Sequence, residues 1–128
     1  MSLQKTSLAI LFFSTLLIAG CAAKPTEVKV TLSEFTVVAE PASAPANTPI
    51  VFTIINAGTE VHELVLEPKD GQDHPFEANG VESEAEAIEP GQTVTLEWTL
   101  TEPGQYQLAC YVEGHFEAGM VTAFTVTQ

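Results

Sequence analysis

The feature that most constrains the fold of this chain is the alternation of apolar and polar residues in short runs. The clearest run extends from Thr93 to Leu100, where Val94, Leu96, Trp98 and Leu100 alternate with threonine and glutamate. A period of two residues puts alternate side chains on opposite faces of an extended strand, whereas a helix repeats about every 3.6 residues. This run therefore predicts a β-strand with one buried face.

Several other short runs also predict strands, some by alternation and some, such as Ile50 to Asn56, by a continuous run of apolar and β-branched residues. Glycine and proline turn signals such as Pro103-Gly104 separate them. Seven or eight short strands of this kind predict an all-β fold, a two-sheet sandwich with Greek-key connections. The further runs are Val28 to Leu32, Phe35 to Val38, Ile50 to Asn56, Val61 to Glu67, Tyr106 to Cys110 and Met120 to Val126.

Two segments interrupt this rhythm of strands. Residues 39–49 are rich in proline and alanine, which is typical of a connection. Residues 68–91 form an acidic loop that is longer than loops in compact domains usually are. Within it, the segment ESEAEAI at residues 82–88 is compatible with one or two helical turns, which would depend on packing for their stability. We expect the loop to decorate one end of the sandwich or to contact a partner.

The first twenty residues have the features of an export signal. Lys5 precedes an apolar stretch from Leu8 to Ala19, which is too short to span a bilayer and suits the core of a signal peptide. The stretch ends in LIAGC, which resembles a bacterial lipobox whose cysteine, Cys21, carries lipid. The alternative is an ordinary signal peptide, or an uncleaved helix, in which Cys21 is incidental. We predict a signal peptide at residues 1–20, a lipid-anchored tether at residues 21–26 and one domain at residues 27–128.

The lipobox interpretation predicts where the protein is held. An exported chain that begins at Cys21 would lie on the periplasmic face of a bacterial membrane. Because Ala22 rather than aspartate follows the cysteine, the outer membrane is favoured in a Gram-negative cell. The tether of about five residues reaches roughly 15 to 20 Å, so the domain would stay close to the bilayer.

The charge of the predicted mature chain is strongly negative. After residue 20 it has three lysines, no arginine and seventeen acidic residues, a formal net charge of −14. This balance argues against nucleic acid as a partner, because phosphate binding needs lysine and arginine. Two interpretations remain open: attraction of a cationic partner, or a well-solvated surface such as adaptation to high salt produces. The densest acidic cluster lies around His74, which we expect to be solvated, and comprises Asp73, Glu77, Glu82, Glu84, Glu86 and Glu89.

A cysteine, a histidine and a methionine near the end of the chain have the spacing of metal ligands. Cys110, His115 and Met120 follow the pattern Cys-x4-His-x4-Met, and with His62 they offer the ligand set of a blue-copper site. If Cys21 carries lipid, Cys110 is an unpaired thiol in an oxidising compartment, where a metal would protect it. Singly, each residue has an ordinary role in a protein core. Strand parity favours the metal, because His62, Cys110 and Met120 continue apolar rows.

With these residues the domain resembles the cupredoxins, the small blue-copper proteins, over nearly its whole length. The resemblance implies that His62 is the upstream ligand, Cys110 and His115 the thiolate and second imidazole, and Met120 the weak axial ligand. It implies one copper ion that cycles between Cu(I) and Cu(II). Zinc also accepts cysteine and histidine, but a thioether favours copper. The ligand loop is longer than that of plastocyanins and azurins and is similar to that of auracyanin-like and some plant cyanin-type proteins.

The sequence also departs from the family near the upstream histidine. Glu63 stands where plastocyanins and azurins usually have an asparagine that ties the two ligand loops together. Asn56 or Thr59 could take over that role. In the Cys-to-Met loop, we expect Gly114 to free the backbone and Phe116 to shield an edge of the second histidine.

The function expected from this site is the transfer of one electron between redox partners, without enzymatic activity. The expected partners are a redox protein such as a cytochrome, with a basic docking surface, and the membrane through lipid on Cys21; the domain is expected to be a monomer. A periplasmic protein that uses the same ligands for copper buffering, delivery or resistance is the first alternative. A hydrolase with Cys110 as nucleophile and His115 as base is the second. It lacks an evident oxyanion arrangement, and its free thiolate would oxidise.

Overall fold

A computed structural model describes residue 20 and residues 23–128, so most of the predicted signal peptide and Cys21 lie outside the described residues. Within the described part, the secondary structure consists of eleven β-strands, and no helix there is long and apolar enough to cross a membrane. The strands are β1 (Thr26–Ser33), β2 (Thr36–Glu40), β3 (Ser43–Pro45), β4 (Pro49–Asn56), β5 (His62–Pro68), β6 (Glu77–Ala78), β7 (Val81–Glu82), β8 (Glu84–Ile88), β9 (Thr93–Thr99), β10 (Gly104–Ala109) and β11 (Val121–Thr127).

The longer strands form two sheets, which confirms the predicted all-β sandwich. One sheet has the order β2-β1-β4-β9 and the other the order β3-β11-β10-β5-β8. Most neighbours are antiparallel, but β1 pairs with β4 and β11 pairs with β3 in parallel. The predicted connection at residues 39–49 contains β3, so this segment is partly strand rather than wholly a connection.

The core lies between the two sheets. Phe52 on β4 and Phe124 on β11 meet edge to face across it, with ring centroids 5.5 Å apart. In β9 the four alternate positions from Thr93 to Thr99 are exposed while Leu96 is buried, as the period-two pattern predicts. Burial of such aliphatic and aromatic side chains stabilises the fold by about 1.5 to 3 kcal/mol for each large residue.

The long acidic segment at residues 68–91 is more regular than expected. A small hairpin, β6 with β7, occupies its middle, and β8 follows as an edge strand of the second sheet. The expected helical turns at residues 82–88 are therefore wrong, because β8 pairs with β5 through His62, Leu64 and Val65. Backbone pairing with a buried strand outweighs the helix propensity of alanine and glutamate, which tertiary context commonly overrides.

One end of the sandwich gathers the termini of several strands from both sheets. The register of β1 with β4 brings Leu32 beside Asn56, so both strands finish at this end. β5 begins there with His62, β10 finishes there with Ala109, and β11 starts again at Val121. The predicted ligands lie at or beside these termini.

Candidate metal centre

Three of the four predicted ligands converge at this end of the sandwich. His62 is the first residue of β5, Cys110 directly follows β10, and His115 lies in the loop between β10 and β11. The side chains of His62 and Cys110 are fully buried, and His115 is 4% exposed. One ligand atom from each lies within 4.8 Å of the other two.

The distances between the donor atoms suit a single metal ion. The Nδ1 atoms of His62 and His115 are 3.2 Å apart, and the Sγ atom of Cys110 is 4.0 Å and 3.6 Å from them. Atoms about 2.0 to 2.3 Å from a shared ion in a trigonal plane lie about 3.5 to 3.8 Å from one another. The observed separations bracket this range, so the donors fit a trigonal nitrogen and sulfur site.

Met120, the fourth predicted ligand, is fully buried in the same hydrophobic cluster as Cys110. Its backbone closes the ligand loop, because Met120 N donates to the carbonyl of His115 at 3.1 Å and its own carbonyl accepts from Cys110 N at 3.0 Å. The bond to Cys110 joins the two ends of the loop, and the bond to His115 fixes the middle of the loop to its end. Its role as the axial ligand stays a prediction.

The loop from Cys110 to Met120 turns tightly around His115. Gly114 has φ +81°, a left-handed conformation that favours glycine, as expected. Phe116 stacks on Tyr111 with ring centroids 4.7 Å apart, and its expected shielding of His115 stays a prediction. Phe35 meets the His115 ring edge to face at 5.2 Å. Phe35 lies in the turn between β1 and β2, so no sequence proximity pointed to it.

Glu63 itself ties the two ligand loops together. Its Oε1 accepts a hydrogen bond of 2.7 Å from the backbone N–H of Tyr111, the residue after Cys110. Its own N–H points at the Cys110 sulfur at 3.5 Å. Asn56 braces a different part of the site, donating to the carbonyls of Glu60 and Ile88 at 2.7 and 2.8 Å. The departure from asparagine at position 63 therefore keeps the link between the loops.

A carboxylate faces the outer edge of each imidazole, which sequence reasoning missed. Oε2 of Glu60 is 3.0 Å from Nε2 of His115, and Oε1 of Glu34 is 3.4 Å from Nε2 of His62. Carboxylates in this position orient metal-bound histidines and raise their basicity. Acidic residues in turns are common on a protein of this charge, so nothing in the sequence singled out these two.

Burial and neighbouring groups set the ionisation of the site without metal. Burial, followed by the proximity of His115, lowers the pKa of His62, and burial raises the pKa of the Cys110 thiol. The backbone N–H groups of Glu60 and Thr59 donate to Glu34 and lower its pKa to about 2. A neutral imidazole beside a protonated thiol is ready to bind a metal, with loss of the thiol proton. His74 is exposed, in agreement with its expected solvation.

Comparison with known proteins identifies the family. The protein-family model that describes the cupredoxin-like domain matches residues 6–123 of this chain. The chain belongs to the cupredoxin-like family. This cupredoxin is similar in fold to an auracyanin from the photosynthetic bacterium Roseiflexus castenholzii, with a TM-score of 0.67 and 20% identity over 83% of this chain and 99% of that one. It is also similar to the copper-containing nitrite reductase of Thermus scotoductus, with a TM-score of 0.59 and 18% identity over 80% of this chain and 31% of that one.

A curated relative shares a shorter stretch of sequence. The copper-resistant cuproprotein CopI of Pseudomonas aeruginosa is 44% identical over 39 residues, which are 30% of this chain and 22% of that protein. The match thus spans less than a quarter of the relative. The family and the group of His62, Cys110 and His115 identify the cofactor of this cupredoxin as one copper ion.

Proposed function

We propose that this cupredoxin carries single electrons between redox partners. The observation that carries the proposal is the donor group itself: two imidazole nitrogens and one sulfur lie 3.2 to 4.0 Å apart in buried positions. Copper in such a site supplies a one-electron couple between Cu(I) and Cu(II). Donors that move little between the two oxidation states lower the reorganisation that electron transfer requires.

The residues around the donors support this rigidity. Glu63 links the strand of His62 to the residue after Cys110, and the backbone of Met120 closes the loop on both sides. Burial excludes water from the sulfur, and binding of the metal would displace the thiol proton whose pKa burial raises. The same burial argues against Cys110 as the nucleophile of a hydrolase, since a substrate would have to reach a fully covered sulfur.

The partner in this proposal is a redox protein such as a cytochrome with a basic docking surface. The charge of the chain supports this partner, because the sequence has seventeen acidic residues and only four basic ones. Opposite charges raise the rate of encounter by long-range attraction, an effect that salt screens. The proposal also keeps the lipid anchor on Cys21 and the periplasmic face of a bacterial membrane as the place of action.

Copper handling is the second candidate function. The similarity to a copper-resistant cuproprotein over 39 residues favours it specifically. In this role the same donors would buffer or deliver the ion, and no redox partner would be required. The two functions differ in whether copper leaves the site.

The experiment that separates them measures two rates on the copper-loaded protein. One is the transfer of Cu(I) to an excess of a Cu(I) chelator, and the other is electron exchange with a basic cytochrome at low and high salt. Electron transfer predicts copper that stays bound for hours and exchange that slows as salt rises. Copper that passes to the chelator within seconds, with slow electron exchange, would support copper handling instead.

A further inference from the structure

The carboxylate of Glu34 lies against the outer edge of His62, in the turn that joins β1 to β2. Its Oε1 atom is 3.4 Å from Nε2 of His62. Among the described residues, that buried Nε2 has no hydrogen-bond partner. A buried N–H without a partner is costly, so the nearest polar group decides how the imidazole is held. That group is the Glu34 carboxylate, a few tenths of an ångström beyond the usual hydrogen-bond distance.

The position of Glu34 is fixed from the other side. The backbone N–H groups of Thr59 and Glu60 donate to the same Oε1 atom at 2.6 and 2.9 Å. Gly58 allows this approach, because a Cβ atom at that position would collide with the Glu34 carboxylate. A residue in the turn between two strands of the first sheet thus secures the loop that leads into His62 on the second sheet.

The orientation of the imidazole determines what Glu34 meets. The Nδ1 atom of His62 faces the Cys110 sulfur and the second imidazole, where the metal would bind. A neutral imidazole that binds a metal through Nδ1 carries its proton on Nε2. The N–H of His62 would therefore point at the carboxylate of Glu34.

We propose that Glu34 is a positioning residue of the copper centre, which holds the Nε2 edge of His62 and favours Cu(II) over Cu(I) through its fixed negative charge. The proposal rests on His62 as a copper ligand. Glu60 faces His115 in a similar way, but its side chain is 56% exposed, against 28% for Glu34. Water screens the more exposed charge, so Glu34 is the stronger influence.

The substitution E34Q tests the proposal in the full-length chain. It keeps the size of the side chain and removes the charge. Loss of a carboxylate partner typically weakens metal binding about 10- to 100-fold. We expect that loss for Cu(II) and little change for Cu(I), so the reduction potential should rise by about 59 mV per tenfold change in the ratio of the two dissociation constants. Voltammetry and competition titrations with each oxidation state measure both quantities.

Two further variants sharpen the test. E97Q removes the same charge from an exposed position on β9, opposite Val51 at the far end of β4, and should change the ratio less than twofold. G58A leaves the charge in place but pushes the carboxylate away from its present position. G58A should raise the reduction potential, as E34Q does, but by a smaller amount. It provides the test if E34Q does not fold.

The outcomes are distinct. A rise in potential for E34Q and G58A, with E97Q near the wild type, supports the proposal. Equal weakening of Cu(I) and Cu(II) binding in E34Q would overturn the proposal, because Glu34 would then only support the loop. The same small change of potential in E34Q and E97Q would also overturn it. A wild-type protein without a thiolate-to-copper band would refute the ligand assignment on which the proposal rests, and H62A separates that failure by testing the ligand directly.

Discussion

Removal of the Tyr111 hydroxyl should weaken the fold beside the copper loop. Tyr111 follows Cys110 and donates a hydrogen bond to the carboxylate of Glu67, which is fully buried on β5. Two other groups donate to that carboxylate: the Gln107 side chain at 2.8 Å and the backbone N–H of His74 at 2.9 Å. The network therefore joins β5, β10 and the acidic segment to the residue beside the thiolate.

The structure sets the size of the effect of Y111F. The substitution removes one of three hydrogen bonds to a buried carboxylate and keeps the ring that stacks on Phe116. A hydrogen bond to a charged group contributes about 1.5 to 3 kcal/mol. For a domain of this size, about 2 kcal/mol lowers the melting temperature by roughly 8 to 16 °C.

Urea and thermal unfolding of the metal-free protein measure this effect, with Y106F as the matched control. Tyr106 also donates from its hydroxyl, but to the carbonyl of Glu102 at an exposed position, so its removal should cost about 0.5 kcal/mol. Equal, small losses of unfolding free energy in the two variants would refute the role of the network.

The Y106F variant also leaves Tyr111 as the single tyrosine of the chain. Burial and then the bond to Glu67 raise the pKa of Tyr111 to about 12, which an ultraviolet titration of that variant should reproduce.

Three further results are expected. C110S should fold but show no thiolate-to-copper absorption, since it lacks the sulfur. E63A should lower the unfolding free energy in urea by about 1 to 3 kcal/mol, because the Tyr111 N–H loses its acceptor, whereas E63Q, which keeps an oxygen there, should lose less. Burial and then Glu82 raise the pKa of Glu84 to about 7, so the contribution of this carboxyl group to stability should fall as the pH rises from 4.5 to 7. E84Q should therefore gain about 1 kcal/mol at pH 8, after allowance for solvent screening, and nothing at pH 4; an equal gain at both values would contradict the burial of this carboxyl.

Much of the sandwich could be predicted because its strands have one buried face. β9 alternates cleanly, and its pattern alone places Leu96 inside. The same logic is weaker for β5, where Leu64, Val65 and Leu66 are all buried because both faces are covered. A period-two pattern cannot be seen in such a strand, although its apolar run still predicts it.

The helical turns expected at residues 82–88 failed for a different reason. Local preference favours helix in ESEAEAI, but the edge of β5 needs hydrogen-bond partners, and β8 supplies them. Ala87 has φ +48° beside the irregular pairing of His62 and Leu64, so the strand is bent where it meets the site. Such pairing joins residues that are 19 to 26 positions apart in the sequence, which no local pattern reports.

For the metal centre, the spacing in the sequence predicted the donor residues but not the carboxylates that lie against the two imidazoles. His62, Cys110 and His115 converge as expected because their order along the chain matches the strand ends that the fold brings together. The carboxylates of Glu34 and Glu60 could not be found in this way, since their places depend on turns from different parts of the chain. Contacts between turns have no periodic signal in the sequence.

The visible and electron paramagnetic resonance spectrum of the copper-loaded protein tests the central claim most directly. Thiolate and imidazole donors at the separations seen here predict an intense thiolate-to-copper band and the narrow hyperfine pattern of a blue-copper site. A colourless Cu(II) complex, or a site that binds zinc in preference to copper, would contradict the account.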